Sequence, residues 1–560
     1  MKRDLEAMSR TAYDLVIVGG GISGASIAWD AALRGLKVAL LEKEDFAHGT
    51  TSGSSKLIHG GLRYLQNGEL ALVRESLRER RIWEMIAPHM VFPLPFLLPT
   101  YGQGMSGKLI MSVGLTFYDL LSYDRNRLDD PDKKLPGYKT VSREEALEIM
   151  PSLKKEGLTG GKIYYDCQMF APERLCLEFI LGAAEHGADA ANYTEVTGFL
   201  ESAGGNGKRA EGKRIQGVRV KDRESGQEHE IRGALTVNAS GPWADKLMGL
   251  AEENPPRQLI RSKGIHVITR QLSGETALAV KSEIGGHFFV IPWRGHTIIG
   301  TTDTVFSHEP DAMGVTEEDI EKFLLVVNDG LPGLGLTRKD VQHFYVGLRP
   351  LIDETPEEGT KDSYNASREA EVFDHGEKHG IDGLLSALGG KWTTSRNLAE
   401  EVVDKAAEKL GRKLKPCATE STPLYGGAIK RFRPFLDEAK QRHQRYAPDI
   451  IDNLGHFHGA RMDDILELAG TEPRLEERLD DQNPDIGAQI VNAVRNEMAL
   501  HLDDALMRRT GIGTLGRPSP QLIGKAAGLM AEELDWDSAR REQEIARLSR
   551  YFSTKPNGTA

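Results

Sequence analysis

Tyr13-Asp-Leu-Val-Ile-Val-Gly-Gly-Gly-Ile-Ser-Gly-Ala-Ser26 is the stretch on which the fold turns. A short apolar strand breaks into Gly19-x-Gly21-x-x-Gly24 and continues as an Ala-rich helix. Gly19 permits the tight strand-to-helix turn, Gly21 lets backbone N–H groups approach phosphates, and Gly24 lets helix and strand pack closely. The helix N-terminus adds partial positive charge, so the stretch reads as a site for the pyrophosphate of a dinucleotide. A lone pattern of this kind is weak, and the flanks strengthen it. Lys37-Val-Ala-Leu-Leu-Glu42 reads as a second buried parallel strand, and Glu42 stands 18 residues past Gly24, where a ribose-binding carboxylate belongs.

A chain of 560 residues exceeds what one core usually supports, so two or three domains are expected. With 39% hydrophobic and 28% charged residues the composition is that of an ordinary globular protein. The net charge of -12 argues against a nucleic-acid partner, although a local basic pocket remains compatible with it. Cys167, Cys176 and Cys417 show no CxxC pair and no metal-ligand spacing, which points to a reducing compartment, structural thiols and no metal. The charged start Met1-Lys-Arg-Asp-Leu-Glu leaves no room for a secretory signal, so a cytoplasmic location is expected. No apolar run reaches the roughly 18 to 20 residues of a membrane span. The nearest approach is His89 to Tyr123, where Pro93, Pro95 and Pro99 break the first part. A helix over Leu109 to Leu121 would be apolar round most of its circumference, and burial inside the protein is the expected explanation, ahead of shallow contact with a bilayer.

Working outward, residues 49 to 63 form a Gly/Ser/Thr-rich loop able to wrap a cofactor. The spacing of Leu70, Val73, Leu77, Ile82, Met85 and Ile86 predicts an amphipathic helix from Glu69 to Pro88 whose charges face water. After a helix near Ala171 to His186, the stretches Glu195 to Ser202, Ile215 to Asp222 and Glu228 to Ile231 read as a β-meander. It closes on Ala234-Leu-Thr-Val-Asn-Ala-Ser-Gly241, a second strand-to-glycine junction, and Gly383 to Arg396 supplies a third. A dinucleotide fold with a meander inserted before such a strand is the pattern of FAD-binding rather than NAD-binding folds. His287 to Asp303 reads as a hairpin turning at Arg294-Gly295, and beyond Pro416 the composition turns helical, including Asp485 to Arg509.

Seven segments, among them Ser54-Ser-Lys-Leu-Ile-His-Gly-Gly-Leu-Arg-Tyr64, Asn238-Ala-Ser-Gly-Pro-Trp243, Ile299-Gly-Thr-Thr-Asp303, Gly347-Leu-Arg-Pro-Leu351 and Gly389-Gly-Lys-Trp-Thr-Thr394, resemble the FAD-dependent glycerol-3-phosphate dehydrogenases. Asp503-Asp-Ala-Leu-Met-Arg-Arg-Thr510 resembles that family's C-terminal domain. The matches run in order over nearly the whole chain. They imply an α/β fold: an FAD-binding Rossmann-like domain of the glutathione-reductase and D-amino-acid-oxidase type, a mixed antiparallel-sheet substrate domain and an all-α C-terminal domain. The expected division is an oxidoreductase unit over 1–410 (FAD-binding parts about 12–88, 160–250 and 383–410; substrate-binding parts about 89–159 and 251–382) and a helical domain over 411–560.

The implied reaction oxidises sn-glycerol 3-phosphate to dihydroxyacetone phosphate, with electrons passing from non-covalent FAD to a membrane quinone. The resemblance assigns the cofactor to Gly19, Gly21, Ile22, Ser23, Gly24, Glu42, Lys43, Thr50, Thr51, Ser54, Ser55, Lys56, His59, Gly60, Leu62, Val196, Ala239, Ser240, Gly241, Trp243, Gly390, Lys391, Trp392 and Thr393. Substrate contacts fall to Arg63, Tyr64, His266, Arg349, Arg368 and Lys391. A phosphate dianion needs several fixed cations, and Arg grips it bidentately. Arg63 and Arg349 each sit in an apolar, Gly- or Pro-bearing context where an unpaired cation is costly. Arg368 departs from the pattern, standing in Ala-Ser-Arg-Glu where the family often has Thr-Arg-Asp-Tyr. His266 interrupts an apolar strand and is the expected base, in a catalytic set with Arg349 and Lys391; a core histidine bonded to backbone is the bland alternative, and His59 the competitor. Lys391 and Thr393 open a helix that would set positive charge near the flavin.

Rival readings are a glycerol-3-phosphate oxidase that uses oxygen, an amine or amino-acid oxidase, and a non-catalytic flavin-binding module. The oxidases of the family commonly carry an added internal segment, and none is evident between Asp353 and Gly389. Quinone reduction requires peripheral contact with the inner face of the cell membrane. A homodimer completes the expected partners.

Overall fold

The computed structural model describes residues 1–65, 68–102, 107–203, 213–251, 259–352 and 370–556. The opening stretch forms the strand Ala12–Val18, in which Leu15 to Val18 are buried, and Gly21 caps the helix Ile22–Leu33. A run apolar on both faces belongs in the middle of a covered parallel sheet. Ala12–Val18 accordingly runs parallel to Val38–Leu41 on one side and to Glu228–Asn238 on the other. Leu384–Gly389 continues the parallel set, and Ala370–Asp374 and Asp189–Ala191 lie at its flanks. Val18, Asn238 and Gly389 therefore end at the same edge of the sheet, and the three strand-to-glycine junctions meet there. That edge is the crevice in which ligands of such sheets bind.

One face of the sheet is covered by the helices Ile22–Leu33, Pro172–Glu185 and Ser395–Leu410, packed through Ala25, Trp29, Phe179 and Val402. The other carries the meander, Thr194–Ala203 with Lys213–Asp222, through Phe199, Val218 and Val220. Its third member is not a separate piece: Glu228–Asn238 is one strand, antiparallel to Lys213–Asp222 as far as Arg232 and parallel to Ala12–Val18 from there on.

A second, ten-stranded mixed sheet stands over the crevice. Its hairpin Gly286–Trp293/His296–Gly300 turns at Arg294 and Gly295, both at positive φ (49° and 75°), which matches the right-handed twist of the strands. Pro93, Pro95 and Pro99, which interrupt the apolar run for a helix, lie inside the strand Val91–Tyr101. Spaced by even numbers, they put every missing N–H on one edge, away from the continuous ladder to Leu158–Met169 and toward a neighbour paired only at Phe96 and Leu97.

Two expectations are overturned. Helix Leu70–Ile86 forms as read, but Glu79, Arg80 and Glu84 are buried rather than solvated. Glu79 takes two bonds from Arg396 (2.7 and 2.8 Å), and Arg80 donates to Asp166 at 2.5 Å. Helix Lys108–Leu121 is not internal: only Leu115 and Tyr118 are buried, while Leu109, Val113, Phe117 and Leu120 are 78, 52, 54 and 64% exposed. Beyond residue 411 the named elements are helices around their own cores. The Asp485 to Arg509 segment is interrupted where Gly487–Glu497 ends at Met498 (φ 54°), and Asp504–Arg509 then winds as a π-helical turn. The three cysteines are free thiols.

Candidate active site

A cavity of about 1590 Å³ opens at the crevice, bounded by both sheets. Gly19 has φ +113°, and a Cβ there would lie 2.5 Å from the Ala239 carbonyl oxygen. At Gly24 a Cβ would come within 1.9 Å of the Gly19 oxygen, so its part is helix packing and it does not line the cavity. The Ile22 N–H at the helix start donates to Thr51 Oγ1 (3.0 Å). The Glu42 carboxylate accepts the Gly20 and Glu44 N–H groups at 2.6 and 2.9 Å and faces the cavity. Burial pushes its pKa up, and those two N–H groups pull it back. Glycine turn, helix N-terminus and strand-end carboxylate together fit a dinucleotide such as FAD.

Ile22, Ser23, Lys43, Thr50, Thr51, Ser54, Ser55, His59, Leu62, Val196, Ala239, Ser240, Gly241, Trp243, Gly390, Lys391, Trp392 and Thr393 line the same cavity. The junction at Gly389 and Gly390 (φ 65° and 83°) is tied to the 49–60 loop: Trp392 Nε1 donates to the Thr51 carbonyl (3.2 Å) and the His59 N–H to Thr393 Oγ1 (3.2 Å). Besides Gly24, two assigned residues fall elsewhere. Lys56 is 2% exposed, outside the cavity lining, and its ammonium bonds Glu173 at 2.6 Å and the Ser52 carbonyl at 2.7 Å. Its backbone, just before the strand Leu57–Ile58, sits at φ 60°. Gly60 packs against Tyr118 and Leu77 and gives its N–H to Asp166 (3.1 Å). Arg368 lies outside the described residues.

Strand register builds the other half of the site. Ser262, Gly264 and His266 alternate on one face of Leu259–Arg270 and stand opposite Arg349, Gly347 and Tyr345 of His343–Ile352. Arg349 donates to Ser262 Oγ (2.9 Å), Thr301 Oγ1 (2.9 Å) and the Thr302 carbonyl (3.1 Å), in space that a Cβ on Gly264 would fill. The His266 ring stacks on Tyr345 (centroids 4.7 Å, 12°), and its Nε2 meets Ser55 Oγ at 2.9 Å. Burial first, then the charges of Arg349 and Lys56, hold its pKa well below 6.5, so the ring is neutral and able to accept a proton. Lys391 Nζ lies 4.3 Å from the centre of the Tyr64 ring. Burial, followed by the charges of Lys281 and Arg63, lowers the pKa of His287, which places Arg63 in a basic group with two more cavity residues.

Arg63, Tyr64, His266, Arg349 and Lys391, scattered over more than 300 residues of sequence, thus line one cavity with the glycine cradle. Tyr345, Ser262, Lys281 and His287 escaped the sequence reading. For Tyr345 and Ser262 a signal existed, because each stands four residues from an assigned residue on its own strand and shares its face.

Residues 14–396 match the family model described as FAD dependent oxidoreductase, and 417–541 match the C-terminal domain of alpha-glycerophosphate oxidase. The chain is 35% identical to a glycerol-3-phosphate dehydrogenase of Synechocystis over 98% of both chains. It is 34% identical to an aerobic glycerol-3-phosphate dehydrogenase of Staphylococcus epidermidis, over 91% of this chain and 89% of that one. The crystal structure of the glycerol-3-phosphate dehydrogenase from Bacillus halodurans complexed with FAD superposes with a TM-score of 0.76 at 30% identity, covering 98% of this chain and 96% of that one.

Proposed function

The chain belongs to the FAD-dependent glycerol-3-phosphate dehydrogenases, and from that premise we propose that it oxidises sn-glycerol 3-phosphate at C2 and delivers the electrons to a membrane quinone. Bound FAD supplies a two-electron acceptor for the hydride leaving C2. The chain's own residues do the rest. Arg349, held by Ser262 and the Thr301-Thr302 segment, and Arg63, beside Lys281 and His287, bind and orient the phosphate dianion. Neutral His266, its Nε2 beside Ser55 Oγ, is the acceptor of the hydroxyl proton, and the alcohol becomes the ketone of dihydroxyacetone phosphate. Lys391, beside the Tyr64 ring on the wall of the same cavity, adds a further positive charge. The observation that carries the reading is that one cavity holds a dinucleotide cradle, several cations and a neutral histidine.

A lipid-dissolved acceptor requires docking at the bilayer, and helix Lys108–Leu121 supports it. Leu109, Val113, Phe117 and Leu120 form an exposed apolar stripe at helical spacing, with Met111 of the same helix on the cavity wall. No helix among the described residues is long and apolar enough to cross a membrane, and the docking proposed is peripheral, at the inner face. Anaerobic bleaching of the flavin by glycerol 3-phosphate, but not by glycerol or an amino acid, tests the substrate. Reoxidation by quinone in vesicles faster than by oxygen supports the dehydrogenase; the reverse order makes the protein an oxidase.

A further inference from the structure

Among the described residues, no side chain beyond residue 410 lines the cavity, yet the C-terminal unit grips a segment of its wall at the Asp45 carboxylate and at His48. Asp45 follows Glu42 by three positions and is fully buried. It accepts Arg508 Nε at 2.5 Å, Arg509 Nη1 and Nη2 at 2.5 and 2.8 Å, and Asn192 Nδ2 at 2.9 Å. Arg508 also reaches Asp503 (2.9 Å), Asp504 (2.6 Å) and the Tyr551 hydroxyl (3.0 Å), and that hydroxyl meets His48 Nδ1 at 3.3 Å. Toward the cofactor, the Ala47 N–H donates to the Gly20 carbonyl (3.0 Å), and a Cβ on Gly20 would lie 2.7 Å from the Phe46 ring. Glu42, Lys43, Glu44, His48 and Gly49 line the cavity. The segment 42–49 is thus held in front by the glycine turn and behind by the turn Asp504–Arg509.

A buried carboxylate without a counter-ion is strongly destabilising, and the two guanidinium groups that bind Asp45 both come from the C-terminal unit. We propose that this unit is a clamp on the cofactor loop: Arg508, Arg509 and Tyr551 are positioning residues that hold Glu42 to Gly49 in register with the glycine turn and so set the affinity for FAD.

The test uses full-length protein stripped of FAD and titrated with FAD by flavin fluorescence, with apo-protein melting measured alongside. Arg509→Met is expected to raise the FAD dissociation constant by about 10- to 100-fold, the loss of one partner from a buried charged pair. Asp45→Asn combined with Arg509→Met should recover part of that loss. Tyr551→Phe, which removes a single hydroxyl, should raise the constant a few-fold with the melting temperature unchanged. At saturating FAD, the KM for glycerol 3-phosphate should stay at the parent value. Ile465→Ala, in a separate C-terminal core cluster, should lower the melting temperature and leave FAD affinity alone. The proposal is overturned if Arg509→Met and Tyr551→Phe bind FAD as the parent does, or if Ile465→Ala weakens FAD as much as Arg509→Met.

Discussion

Gly264→Ala tests the substrate site through one methyl group. Gly264 has no positive φ, so alanine brings no backbone strain. The new Cβ would stand 2.4 Å from Arg349 Nη2, 2.4 Å from Thr301 Oγ1 and 3.0 Å from Arg349 Cζ. An ordinary contact needs about 3.5 Å or more, so the guanidinium must move by roughly 1 Å. Its bonds to Ser262 (2.9 Å) and Thr301 (2.9 Å) cannot both survive that shift. Each charge-assisted bond to the phosphate is worth about 1.5 to 3 kcal/mol, and losing one raises the substrate dissociation constant by roughly 10- to 150-fold. Stopped-flow bleaching of the flavin against glycerol 3-phosphate concentration under anaerobic conditions reads that constant. Normal FAD content and melting show that the fold is intact. A folded, FAD-loaded variant that binds substrate within about twofold of the parent refutes the placement of Arg349 at the phosphate.

Three further outcomes are expected. Because His266 is held neutral well below pH 6.5, flavin reduction at saturating substrate should stay flat down through pH 6.5, and His266→Asn should slow it by about 100- to 10,000-fold; a midpoint near pH 7 contradicts the assignment. Changing Leu109, Phe117 and Leu120 together to Asp removes apolar side chains each worth about 1.5 to 3 kcal/mol on burial, so vesicle flotation should fall at least about 100-fold with bleaching by substrate unchanged; undiminished flotation moves the docking surface elsewhere. His501 bonds Glu544 (2.9 Å) and Glu224 (3.0 Å), with Arg540, Arg547 and Asp504 nearby, and its pKa rises from 6.5 to about 9. A raised folded pKa stabilises fully below the unfolded value and is lost as pH climbs through the folded one. The melting temperature should therefore drop between pH 6.5 and 9 in the parent, and this part of the slope should vanish in His501→Gln.

What could be read without the structure follows the range of each constraint. The glycine turn is a local device: φ +113° at Gly19 and the contact of Gly24 with its own strand are settled within a few residues, so the cradle is legible in the chain itself. Apolar spacing likewise locates Leu70–Ile86. Which of that helix's charges meet water was not legible, because the partner of Glu79 lies 317 residues away in Arg396. Helix Lys108–Leu121 shows the same limit from the other side, since an apolar stripe looks alike whether the fold buries it or leaves it exposed. Lys56 sits in a well-matched motif, yet its ammonium pairs with Glu173, 117 residues away, rather than facing the cavity.

The sequence by itself determined the dinucleotide cradle, its neighbouring strands and helices and, through resemblance, the types of residue in the site. Only the tertiary structure decided that Arg349 and His266 share a face with a Gly264 that makes room, and that Arg508 and Arg509 close on Asp45. Backbone conformation is set by neighbours in the chain, whereas the burial and pairing of a charge depend on whatever the fold brings against it.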